Sequence, residues 1–147
     1  MLHATQALFA ALSLLPDADV IGFKLGVRYA GPWGHRGASH SLVAAALVGL
    51  ACAALARVVR QPPTRAAAFA FVTVASHGLL DALTNGGLGV ALLWPFDLTR
   101  CFAPWQPIPV APLGAGFLSS RGLAVAAWEL VVFAPLFAYA LWPRRRA

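Results

Sequence analysis

The sequence predicts an all-α protein embedded in a membrane, and two observations carry that prediction. Hydrophobic residues make up 60% of the 147 residues and charged residues only 11%, far from the balance of a soluble globular domain. The apolar stretches are rich in Ala, Leu, Val and Phe and lack the alternation of a transmembrane barrel, so helices must satisfy the backbone hydrogen bonds in lipid. We therefore expect one domain over residues 1–147, a polytopic bundle of about four helices.

Four apolar segments follow one another along the chain. Residues 2–15 are few for a span, whereas residues 41–59, 66–83 and 122–142 each approach the roughly 20 residues that a hydrocarbon core requires. The first segment could instead be the core of a signal peptide. It has no basic leader, however, and residues 16–19 are not a typical cleavage site, so we expect it to remain in the mature protein.

Prolines predict where these helices end. Pro16 ends the first helix, and Pro62 and Pro63 form a turn between the second and third helices. Pro104, Pro107, Pro109 and Pro112 prevent a continuous helix over residues 95–121, so we expect a long loop that folds over the membrane surface. Pro135 lies inside the last apolar segment and should kink it.

The basic residues predict an orientation in the membrane. Arg57, Arg60 and Arg65 flank the proline turn, and three arginines follow the last apolar segment at 144–146. The positive-inside rule places this side in the cytoplasm, although it carries only six basic residues against five on the opposite side. The predicted site then lies on the extracytoplasmic face of the inner membrane. The net charge of +6 reflects topology and an anionic substrate, and we expect no nucleic acid partner.

Six side chains of the metal-ligand type gather near that same membrane surface. They are Asp17, Asp19, His35, His40, His77 and Asp81. His77 and Asp81 are four residues apart, so on a helix they project from one face and can meet one cation. Imidazole and carboxylate together suit a divalent metal, with zinc the expected ion. Cys52 lies in the middle of a predicted helix and Cys101 in the long loop, so the sequence indicates neither a disulfide nor a thiolate ligand set.

Each of these signals also has a plain structural interpretation. His77 and Asp81 could be a buried hydrogen-bonded pair, and Asp17 could be a turn residue. Ser39 could be a helix N-cap, with His40 along the first turn. Glu129 lies deep in the last apolar segment and should face the bundle interior, where it would pair with an arginine or support the site.

Several segments resemble the YdjM-like family of membrane-bound metal-dependent hydrolases. They are LLPDAD at 14–19, GHRGASHS at 34–41, ASHGLLDALTNGG at 75–87, LWPF at 93–96, PWQPIPV at 104–110 and SRGL at 120–123. The resemblance implies an inner-membrane protein with a divalent metal and hydrolase activity. The family label also mentions LexA binding, on which this sequence is silent. Family members usually begin with a further helix that bears an early Thr-His pair. His3 of this chain would lie roughly 20 Å along a helix from Asp17, so we do not expect His3 to replace the histidine of that pair.

We therefore expect a hydrolase in which water activated by the metal attacks an amphiphile, such as a phosphoester lipid, at the membrane surface. The candidate catalytic residues are Asp19 as proton acceptor, Arg36 as the partner of an anionic group, and His35. Lys24, Arg28 and Arg121 are further candidates for the partner of that anionic group. The supporting residues are Glu129, Arg121, Ser39 and Asn85. Membrane lipid is the expected partner. The rival interpretation is an ion- or proton-handling transporter that uses the same cluster, although no inverted repeat is evident.

Overall fold

The computed structural model describes residues 2–112 and 114–141, and the regular elements in that part of the chain are all helical. The α-helices are α1 Leu2–Leu14, α2 Ile21–Lys24, α3 Leu42–Val58, α4 Pro63–Ala82, α5 Ser120–Val132 and α6 Ala134–Leu141. Short 3₁₀ helices lie at Pro16–Val20, Ala38–His40 and Gly114–Leu118. The predicted all-α class is confirmed.

The N-terminus of α3 is determined by a serine. The Ser41 hydroxyl accepts a hydrogen bond from the Ala44 N–H at 3.0 Å and satisfies one of the free donors of the first turn. Ser39, which the sequence offered as the cap, lies two residues before Ser41, inside the 3₁₀ helix Ala38–His40. The prediction of a Ser39 cap is therefore wrong, and the Ser39 hydroxyl is free for a different partner.

The helices α3 and α4 form an antiparallel hairpin with small residues along the contact. The buried positions are Ala45, Gly49, Ala53 and Ala56 on α3 and Ala70, Val74, Ala75, Gly78 and Ala82 on α4. A Cβ atom at Gly78 would lie 2.5 Å from the carbonyl oxygen of His40, so only glycine permits this approach. α1 packs against the same side of α4. The hairpin thus brings the start of α3 beside the C-terminal half of α4.

The last apolar segment forms two helices instead of one kinked helix. Pro135 has no N–H, so it cannot continue the hydrogen-bond ladder of α5, which ends at Val132. The N–H groups of Leu136 and Phe137 both bond to the carbonyl of Phe133 and start α6. Residues 142–147, including the three terminal arginines Arg144, Arg145 and Arg146, lie outside the described residues.

The predicted membrane spans are not confirmed. Across residues 2–112 and 114–141, no helix combines the length and the apolar character that crossing a membrane demands. α3 has 17 residues, and α5 and α6 have 13 and 8.

The long connection after α4 is held by a few backbone pairs. Thr84 forms an isolated bridge with Ile108, and Val90 forms another with Cys101. These pairs place the segments around residues 84–90 and 108–111 beside the C-terminal end of α4. That the loop folds over a membrane surface stays a prediction.

Candidate metal centre

Three short elements bring four of the predicted ligands together. Asp17 comes from the 3₁₀ helix that follows α1, and His40 from the 3₁₀ helix that precedes α3. His77 and Asp81 come from successive turns of α4. We call these four side chains the His–Asp cluster.

The ligand atoms of the His–Asp cluster have the spacing of a tetrahedral metal site. His40 Nε2 lies 3.4 Å from Asp17 Oδ1 and 3.2 Å from Asp81 Oδ2. His77 Nε2 lies 3.3 Å from the same Asp17 oxygen and 3.7 Å from the same Asp81 oxygen. In a tetrahedral zinc site with bonds of about 2.0–2.2 Å, ligand atoms are roughly 3.3–3.6 Å apart. The observed distances therefore fit a zinc-sized ion.

Three of these four atoms are buried without a hydrogen bond. They are Nε2 of His40, Nε2 of His77 and Oδ2 of Asp81. Buried polar atoms are nearly always hydrogen-bonded, because desolvation without a partner is costly. The hydrogen-bonded His77–Asp81 pair that the sequence left open would satisfy two of them, but the atoms are 3.7 Å apart. The donor set instead suits a cation bound between these atoms.

Hydrogen bonds on the far side of both imidazoles orient the Nε2 atoms. His77 Nδ1 lies 2.7 Å from the carbonyl oxygen of Ser13, which can only accept, so Nδ1 carries the proton. His40 Nδ1 lies 2.9 Å from the Ser39 hydroxyl and 3.3 Å from Asp19 Oδ2. With protons on Nδ1, each Nε2 presents a lone pair to the cluster, as metal-binding histidines require. Ser13 is a contributor that no sequence motif indicated.

Asp19 occupies a supporting position behind the cluster. Its Oδ1 accepts from His35 Nδ1 at 2.8 Å, and its Oδ2 accepts from the Ser39 hydroxyl. Asp19, His35 and His40 also lie close enough to share an ion, but these hydrogen bonds already use both Asp19 oxygens. The structure therefore places Asp19 and His35 beside the four-residue cluster, with Asp19 aligning the His40 ring.

The charges of the cluster shift the pKa values of its members. Burial opposes the charged form of Asp17, but the two histidines beside it outweigh that effect and hold the Asp17 pKa well below its usual range. The Asp19 pKa is lowered in the same way, against burial, by His35, His40 and Ser39. Burial disfavours a charged His40, yet the three surrounding carboxylates raise its pKa to about 10. Without a metal these carboxylates thus favour the protonated form of His40, which must lose its Nε2 proton before that atom can bind an ion.

Arg36 is an internal partner of the cluster. Its Nη2 donates to Asp81 Oδ1 at 3.0 Å, and its Nη1 donates to the Thr84 hydroxyl at 2.8 Å and to the Gly86 carbonyl at 2.9 Å. The residue is 5% exposed and has a φ of 63°, in the left-handed region. Arg36 was expected to neutralise an anionic substrate group. In the structure its two Nη atoms orient Asp81 and the segment after α4.

Arg100 is a second structural arginine, which the sequence presented only as a charge. Its guanidinium donates to the backbone carbonyls of Tyr29, Gly31 and His35 at 2.8–3.0 Å. Burial lowers the Arg100 pKa. These bonds join the loop before His35 to the loop after α4. Every residue has a backbone carbonyl, so the sequence does not indicate which carbonyls Arg100 binds, and its structural role could not be predicted.

A cavity of about 800 Å³ opens onto the cluster. It is lined by Leu14, Asp17, Tyr29, His35, Arg36, His77, Asp81, Thr84, Gly87, Leu88, Pro109, Val110, Ala111, Phe117 and Glu129. Pro109, Val110, Ala111 and Phe117 contribute apolar surface to it, whereas Asp17, His77 and Asp81 belong to the cluster. A pocket with a large apolar surface and a few polar groups is typical of a small-molecule site.

The remaining predicted residues lie at different distances from this cavity. Glu129, half-buried on α5, lines it. Asn85 is exposed, and its Oδ1 accepts from the Val110 N–H at 3.0 Å, which anchors the cavity wall. Arg121 is exposed at the start of α5 and does not line the cavity, and the same holds for Lys24 and Arg28. Of the basic residues expected to bind substrate, Arg36 therefore lies beside the cluster, whereas Lys24, Arg28 and Arg121 do not line the cavity.

Comparison with known proteins places the whole chain in one group. The family described as YdjM inner membrane protein matches residues 2–147. The chain is also similar to Inner membrane protein YbcI of Escherichia coli (strain K12), with 46% identity over 148 residues that cover 96% of this chain and 86% of that protein. No solved structure matches the chain. The family match includes every residue of the His–Asp cluster.

Proposed function

The chain belongs to the YdjM family of inner membrane proteins, and on that premise we propose that it is a metal-dependent hydrolase whose divalent ion is held by the His–Asp cluster. The observation that carries the proposal is the set of three buried, unbonded ligand atoms at His40, His77 and Asp81. Nitrogen and carboxylate donors at this spacing favour zinc.

The residues around the proposed ion have different roles. A bound zinc ion supplies Lewis-acid polarisation and activates water. Asp17 and Asp81 balance its charge, and Arg36 and Asp19 orient Asp81 and His40 through the bonds described above. The proton-acceptor role expected of Asp19 does not agree with a side chain that is 7% exposed and hydrogen-bonded at both oxygens. Asp19 is instead a positioning residue.

We propose that the protein lies in the inner membrane as a multi-pass protein. Large apolar side chains of α3 and α4 point outward, including Leu47, Leu50, Leu55, Phe69 and Val72, each at least 59% exposed. So much exposed apolar surface is unusual for a soluble monomer. Arg65 and Asp81 lie roughly 24 Å apart along α4, so the basic turn and the cluster occupy opposite ends of the hairpin. With the basic turn in the cytoplasm, the cluster faces the extracytoplasmic side.

The cavity supports an amphiphilic substrate taken from the membrane, of which a phosphoester lipid is one form. Leu14, Leu88 and Phe117 offer apolar surface in the same cavity that exposes Asp17 and His77. An apolar tail can therefore lie along the wall while the bond to be hydrolysed reaches the cluster.

Metal content of the purified full-length protein tests the proposal. The wild type should hold one zinc per chain, and His77→Ala and Asp81→Ala should lose it together with hydrolysis of a panel of ester, phosphoester and amide lipids. His3→Ala, which changes a histidine outside the cluster, is the matched control and should retain both. Full metal content in His77→Ala would refute the site. A metal-loaded wild type that cleaves none of the lipids would favour the ion-binding or transport alternative.

A further inference from the structure

Glu129 is a cavity-lining carboxylate that the proposed chemistry leaves unused. It projects from the last turn of α5, and its side chain forms neither an ion pair nor a hydrogen bond with any other part of the chain that the structure describes. Val110, Ala111 and Phe117, which line the same cavity, are apolar. A carboxylate among apolar neighbours is costly unless a cation or donor meets it. The partner of Glu129 is therefore absent from this part of the protein.

The packing of α5 fixes the position of Glu129. Trp128 Nε1, from the preceding residue, donates to the carbonyl of Pro107 at 2.9 Å. At the start of the helix, Gly122 lies so close to the backbone of Phe117 that a Cβ atom would not fit. These two contacts attach α5 to the wall of the cavity. Glu129 consequently faces the cavity as part of that wall.

The other charges of the cavity do not compensate Glu129. Arg36, the arginine that lines the cavity, already pairs with Asp81. A divalent ion in the cluster would be balanced by Asp17 and Asp81. Lys24, an exposed cation, does not line the cavity. Among the described residues that line the cavity, no cationic side chain is thus placed to pair with Glu129.

We propose that the substrate is an amphiphile with a positively charged amine, and that Glu129 binds this ammonium group while the apolar chain lies against Leu14, Leu88 and Phe117. This inference rests on the proposed function for the site as a substrate cavity. An ammonium group has donors only and no acceptor, which matches an acceptor-only carboxylate. A purely anionic head group would instead meet a like charge. The inference names a specificity residue and leaves the bond that is hydrolysed open.

Equilibrium binding to the full-length protein in phosphatidylcholine nanodiscs tests this inference. The probes are radiolabelled dodecylammonium and dodecyl sulfate, and empty nanodiscs give the background from partition into lipid. Wild type should bind the ammonium probe saturably and about tenfold more tightly than the sulfate, since a hydrogen bond to a charged group contributes at least that factor. Glu129→Gln should lose about tenfold in ammonium affinity and keep its zinc.

The matched control is Asp97→Asn, the same carboxylate-to-amide change at an exposed residue outside the cavity. It should bind both probes like the wild type. Unchanged ammonium affinity in Glu129→Gln, equal binding of dodecyl sulfate to wild type, or loss of zinc in Glu129→Gln would each overturn the inference. An amine that bound through the metal would also be insensitive to Glu129→Gln. If wild type holds no zinc but ammonium binding still depends on Glu129, the metal site fails and this inference stands.

Discussion

Asparagine substitutions at Asp17 and Asp19 should separate a metal ligand from a residue that orients one. Both aspartates belong to the 3₁₀ helix Pro16–Val20. Asp17 Oδ1 lies 3.3–3.4 Å from Nε2 of both His40 and His77. Asp19 instead faces the Nδ1 atom of His40, on the far side of the ring. The two variants change the same chemical group at positions with different roles.

The expected magnitudes differ accordingly. Loss of a group that orients a ligand costs about 10–100-fold in metal affinity, or about 1.4–2.7 kcal/mol, and we expect this for Asp19→Asn. An amide at position 19 keeps one acceptor oxygen, but its NH₂ cannot accept from Ser39 or from His40. Asp17→Asn removes a charged ligand atom and should weaken zinc binding by more than about 100-fold.

Competition titrations with a chromophoric zinc chelator measure both affinities on purified protein. Circular dichroism provides the control for folding, which matters most for Asp19 because its side chain is only 7% exposed, against 44% for Asp17. If folded Asp19→Asn loses zinc as completely as Asp17→Asn, then Asp19 is a ligand and the assignment made from its hydrogen bonds is wrong.

Three further predictions concern the framework of the site. Gly78→Ala should displace the His40 backbone, because the added Cβ would lie 2.5 Å from the His40 carbonyl oxygen. Zinc affinity should then fall at least about tenfold. An unchanged zinc affinity would show that α3 and α4 can separate at this point at no cost. The pKa of His40 in the metal-free protein is about 10, and His40 binds zinc only when it is neutral. Zinc uptake at pH 7 should therefore release at least one proton, and zinc affinity should fall about tenfold for each pH unit below 10. Calorimetry in buffers of different ionisation enthalpy detects that proton, and pH-independent uptake would contradict it. Reporter fusions should place the Pro62 turn in the cytoplasm and the loop around Trp105 outside; the reverse result would move the site to the cytoplasmic face.

Local spacing made part of the site predictable. His77 and Asp81 were expected on one helix face because they are four residues apart, and α4 holds them there. Pro16 was expected to end the first helix, and α1 stops at Leu14. These features depend on neighbours within a few positions, where periodicity and proline chemistry act directly.

Partners distant in the chain could not be predicted. The carbonyl that fixes the His77 ring belongs to Ser13, 64 residues away, and the carboxylate that engages Arg36 is 45 residues further on. A backbone carbonyl is present at every residue, so no pattern distinguishes the one at Ser13. The division of the last apolar segment into α5 and α6 was missed for a different reason, because hydropathy summed over 122–142 does not register how completely Pro135 interrupts the helix.

The His–Asp cluster draws on residues from 17 to 81, and this spacing has a consequence for how the protein is made. Until α4 has left the ribosome, a nascent chain carries only two of the four ligands, and an ion bound by two would be easily lost. At the proposed site, metal loading would therefore be a late event, after the α3–α4 hairpin has closed. The ion would then tie the segment after α1 to that hairpin, and its binding energy would become folding energy. Chelation should accordingly release the N-terminal segment first and leave the hairpin paired.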